Sequence, residues 1–91
     1  MDEHEVINRI NSLREKIAAA IKGDECNILV SLLDSKGNVL TSGRYGIGSD
    51  EYGDFIYFSK ELTAEDFDYL TVGHIKKWLA AKSFSIYKFE K

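Results

Sequence analysis

The 91-residue sequence predicts an α+β fold with its elements in the order α-β-β-β-α-β: an N-terminal helix, a four-stranded, mainly antiparallel sheet and a C-terminal helical segment. Three observations lead there. Apolar residues recur at helical steps up to residue 22; a hairpin pattern fills residues 26–45; and two further alternating runs, at 54–60 and 83–90, flank a capped helical stretch. No repeat, linker or low-complexity segment interrupts residues 1–91, which read as a single compact domain.

The helix over 3–22 rests on Val6, Ile7, Ile10, Leu13, Ile17 and Ile21, which fall on one stripe roughly 100° wide. Asn8, Ser12, Glu15, Lys16, Ala19 and Lys22 lie opposite. Lys22 and Gly23 give the expected stop, a cation in the last turn followed by a residue free to turn left-handed.

In the hairpin, Cys26, Ile28, Val30 and Leu32 share one face of the first strand, and Asn27, Leu29, Ser31 and Leu33 the other. Two registers compete. Pairing Leu33 with Asn38 sets Leu32 beside Val39 and Val30 beside Thr41, so apolar faces match; a Ser35-Lys36-Gly37 loop with Gly37 as a bulge shifts the pairing by one and mixes the faces. Hydrophobic matching favours the first.

Residues 46–53, GIGSDEYG, read as a connection or an embellished hairpin loop. They do not make a dinucleotide fingerprint, because Glu51 takes the third glycine position, a strand follows, and Asp50 and Glu51 repel phosphate. The aromatic run at 54–60 is the third strand. Thr63 caps a helix over about 64–81, with acids in its first turn and a weak step at Thr71-Val72-Gly73 that splits it in two if it breaks; Phe67, Ile75, Trp78 and Leu79 share one side. Residues 83–90 alternate as the fourth strand.

Composition excludes several functions. A formal charge of −3 offers no general attraction to nucleic acid or to an anionic membrane. No apolar run is long enough to cross a bilayer, and the acidic start MDEHEV does not read as a secretory signal. With one cysteine there is no internal disulfide, and the expected setting is cytoplasmic. The first five elements follow the order of double-stranded RNA-binding domains. The start of the second helix, where such domains carry lysines, here reads Ala64-Glu65-Asp66, the wrong sign for phosphate.

Candidate chemistry is sparse. Cys26 alternates with core-facing Ile28 and reads as an inert buried thiol, while His74, near Leu70, Trp78 and Ala81, reads as a boundary residue covering the tryptophan. His4 sits at a frayed helix start. Asp50, Glu51 and Asp54 are oxygen ligands in a glycine loop, but their spacing matches no EF-hand. No cofactor, metal site or catalytic residue is expected.

What remains is a sheet apolar on both faces. One face carries Cys26, Ile28, Val30, Leu32, Val39, Ile56, Phe58, Phe84 and Ile86; the other carries Leu29, Leu33, Leu40, Phe55, Tyr57, Tyr87 and Phe89. An antiparallel sheet with one wet face alternates more cleanly than this. The expectation is a non-catalytic protein-interaction module, an adaptor or inhibitor. Its interface consists of Leu29, Leu40, Tyr57, Tyr87 and Phe89, with Asp50, Glu51 and Asp54 in an acidic belt. The partner is a protein or a second copy, and the belt suits a basic nucleic-acid-handling protein. A second reading is a small-ligand or nucleotide sensor, with a pocket between the sheet and the C-terminal helix gated by residues 46–53.

Overall fold

The structure is a computed structural model that describes residues 2–21, 28–45, 47–49, 55–58 and 60–88. It is α+β. Helix α1 spans Glu3–Ala20, capped by Asp2, whose carboxylate accepts a hydrogen bond from the Glu5 N–H at 2.8 Å. The predicted stripe is the buried one: Val6, Ile7, Ile10, Ile17 and Ile21 are in the core, with Leu13 half-buried beside them. The helix stops at Ile21, which is extended, ahead of the expected stop; Lys22 and Gly23 lie outside the described residues.

Strands β1 (Ile28–Leu33), β2 (Val39–Arg44) and β5 (Ser83–Lys88) form an antiparallel sheet in the order β2-β1-β5. The expected four-stranded sheet is therefore corrected to three strands. The aromatic run contributes β4 (Phe55–Tyr57), but it pairs with β3 (Ile47–Ser49) in a separate two-stranded sheet. The reason is local. Both sides of β1 are taken by β2 and β5, and closing the short connection between β3 and β4 costs less chain entropy than a distant pairing.

The hairpin register also differs from expectation. Gly37 is left-handed (φ 84°), and its N–H donates to the Asp34 carbonyl at 3.1 Å. The Asp34 carboxylate accepts from the N–H groups of Lys36 and Asn38, each at 2.9 Å, and from the Asn38 side-chain amide at 3.2 Å. Turn chemistry thus selects the three-residue loop, which pairs Leu33 with Val39. That slip alone would turn the β2 faces over. A bulge at Leu40 adds a second shift, so Leu32 faces Thr41 and Val30 faces Gly43. Two shifts of one restore the faces, and only Val39, between them, is left on the outer side.

The predicted C-terminal helix is two helices, α2 (Ala64–Phe67) and α3 (Val72–Ala80). Thr63 caps α2 in a reciprocal capping box with Asp66. The break comes at Thr71, whose hydroxyl accepts from the His74 N–H at 3.1 Å and so starts α3. Both short helices pack on α1 and stay in its layer. Phe58 and Trp78 meet at a ring-centroid distance of 5.8 Å, above a core that includes Ile28, Val30 and Leu32. His74 is 1% exposed, so it belongs to the interior and not, as expected, to the boundary.

Candidate protein-docking face

Because side chains alternate along a strand, the register fixes what lies on the sheet face away from the helices. It is a grid of three rows across β2, β1 and β5: Arg44, Leu29 and Tyr87; Ser42, Ser31 and Ser85; Val39, Leu33 and Ser83. The opposite face of β1 is fully buried, while Leu29, Ser31 and Leu33 are half-buried. At the flanks Val39 and Tyr87 are 61% and 60% exposed. A row of serines thus runs between two rows that carry apolar side chains.

The predicted interface residues fall in different places. Leu29 and Tyr87 are direct cross-strand partners on this face. Leu40, at the bulge, packs against the hydrophobic core. Tyr57 is on β4, paired with Ile47. Asp50, Glu51, Asp54 and Phe89 lie outside the described residues, as does Cys26. The acids that follow the belt are described: Glu61, Glu65 and Asp68 are exposed around α2, on the helical layer. Asp66 is held by Thr63 and by a long ion pair with Lys60 (4.0 Å), whose ammonium is largely solvated.

Arg44, Val39 and the serine row were missed as site residues. The serines were legible, since Ser31 and Ser85 share parity with Leu29 and Tyr87; Val39 was hidden by the bulge.

For catalysis, His74 lies inside the fold with its Nδ1 3.4 Å from the Thr71 hydroxyl, an arrangement that serves a helix start. Among the described residues no group of three or more His, Cys, Asp or Glu side chains is placed to hold a metal ion, and no helix is long and apolar enough to cross a membrane. No protein-family model, curated relative or solved structure matches the chain.

Proposed function

We propose that this is a non-catalytic protein-interaction module, an adaptor or inhibitor, that docks a protein partner on the open face of its three-stranded sheet. The observation that carries the reading is the exposure of Val39 and Tyr87 at 61% and 60%, beside half-buried Leu29 and Leu33, with α1 and α3 both in the other layer. Tyrosine and arginine at the edge suit recognition, since each combines contact area with a polar handle. The serine row argues against an obligate dimer, whose buried centre is more apolar. Nine residues are also fewer than the roughly 20–30 per side of a standard interface. The contact is therefore a transient one, or one extended by neighbouring segments. The formal charge of −3 gives a basic partner a general long-range attraction; Glu61, Glu65 and Asp68 stand in the helical layer and act through that net field, not by contact at the docking face. A single cysteine suits a cytoplasmic setting.

The test pairs affinity capture with light scattering, using wild type and a Val39→Lys/Tyr87→Lys variant. Both sites are exposed, so the two substitutions together should cost no more than about 1 kcal/mol of stability. A protein retained by wild type and lost by the variant supports the reading. An identical captured set, with no concentration-dependent self-association of either form, rejects it.

A further inference from the structure

A second surface, on the other side of the molecule, has a different chemistry. Arg9, Ser12, Leu13 and Lys16 recur at three- and four-residue steps, so α1 presents them as one stripe. The end of α3 and the segment leading into β5 bring Trp78, Leu79, Ala81 and Lys82 beside that stripe, lining an open groove of about 280 Å3. Leu13, Leu79 and buried Trp78 supply apolar wall, while exposed Arg9, Lys16 and Lys82 stand around it with the Ser12 hydroxyl. None of the described lining residues is acidic, in a chain whose formal charge is −3. The corner is fixed in place: the Lys82 N–H donates to the Leu33 carbonyl at 2.8 Å, and the Ala81 N–H donates to the carbonyls of Lys77 and Trp78.

We propose that this groove binds a small amphipathic phosphate ester, its phosphate between Lys16 and Lys82 and its apolar body along Leu13, Leu79 and Trp78. Charge complementarity selects the headgroup. A phosphate monoester carries about −1.5 to −2 near neutral pH and several strong acceptors, which matches two lysines and a hydroxyl better than a single carboxylate does. Volume limits the body: the groove lies just under the roughly 300–1,000 Å3 range of small-molecule sites, which suits an aryl or short alkyl group. The acids nearest in sequence, Glu5 and Glu15 on α1, are exposed and do not line the groove. This proposal shares no residue with the sheet face, so either stands if the other fails.

The chain has one tryptophan, and it lines the groove, so its emission reports on occupancy. Phenyl phosphate should produce a saturable change in Trp78 fluorescence, matched by calorimetry. Inorganic phosphate and phenol, the two halves offered separately, should each bind at least about tenfold more weakly. Lys16→Glu and Lys82→Glu should each weaken phenyl phosphate binding by about tenfold or more, whereas Lys88→Glu, at the far end of β5, should leave it unchanged. Should either glutamate variant lose its native circular dichroism, Lys16→Gln and Lys82→Gln should still show a smaller loss. Absence of saturable binding by both methods at millimolar ligand would overturn the proposal. So would binding that survives loss of Lys16 and Lys82, or inorganic phosphate binding as tightly as the ester.

Discussion

The side-chain amide of Asn11 closes both backbone hydrogen bonds of Leu62: its nitrogen donates to the Leu62 carbonyl at 2.9 Å, and its oxygen accepts from the Leu62 N–H at 2.7 Å. An asparagine in mid-helix thereby acts as a strand would, joining α1 to the segment that leads into α2. Leu62 itself is buried, so its peptide groups have little access to water. Asn11→Leu removes both partners at once and should destabilise the fold by about 1–3 kcal/mol. Asn11→Asp should also destabilise, since a carboxylate cannot donate to the Leu62 carbonyl. Denaturant midpoints check both; an unchanged midpoint in Asn11→Leu would mean that Leu62 finds water instead.

Trp78 is 5% exposed and rests on fully buried Phe58, so truncation leaves a cavity where two layers meet. Trp78→Ala should cost about 3–5 kcal/mol. Phe58→Leu and Trp78→Leu, combined in a double-mutant cycle, should show a coupling of about 0.5–1.5 kcal/mol. Additive losses would show that the two rings act independently.

Asp34 should make the hairpin sensitive to acid. Hydrogen bonds from the Asn38 and Lys36 N–H groups, chiefly that of Asn38, hold its carboxyl below its ordinary value of 3.8. A depressed folded-state value means the ionised form is favoured by folding. Its stabilisation is complete above the unfolded-state value and is lost as pH falls through the lower folded-state one. Amide shifts of Lys36, Gly37 and Asn38 followed by NMR should therefore move together below pH 3.8, with a midpoint under that value. Asp34→Asn should abolish the transition. A midpoint at or above 3.8 would contradict the turn geometry.

Gly37→Ala probes the same turn from the backbone. A Cβ at Gly37 would meet open space, so the whole cost is that of holding alanine at φ 84°, roughly 1–2 kcal/mol. Gly37→Asn should cost less, because asparagine tolerates this region. Equal losses in the two variants would point away from backbone conformation as the cause.

Much of this architecture was legible from local pattern. The α1 stripe, the Thr63 cap, the weak step at Thr71 and the alternation of residues 28–33 each depend on neighbours a few positions apart, and each is present. The β1–β2 register was not, because two local preferences opposed each other. Apolar matching favoured a four-residue loop, while Asp34 and Gly37 favoured three, and the bulge at Leu40 reconciled them. The third predicted strand, the aromatic run at 54–60, was misplaced for a related reason: its composition specified a strand, but not which strand it would pair with. The Asn11–Leu62 clasp and the groove beside Trp78 join residues far apart in sequence, and no periodicity marks either.

The position of β5 has a consequence for how the molecule comes into being. Strand β1 is central, yet its second neighbour is supplied only by Ser83–Lys88, with Ile28 opposite Lys88 sixty residues later. A growing chain can close the β1–β2 hairpin early, but β1 keeps one edge open until β5 arrives. Such distant pairing slows folding and leaves apolar strand surface uncovered meanwhile. A nascent chain stopped at residue 82 should therefore be readily cut by protease within residues 28–44, and extension through residue 88 should confer resistance. Biogenesis of this small domain hinges on a strand made long after the one it pairs with.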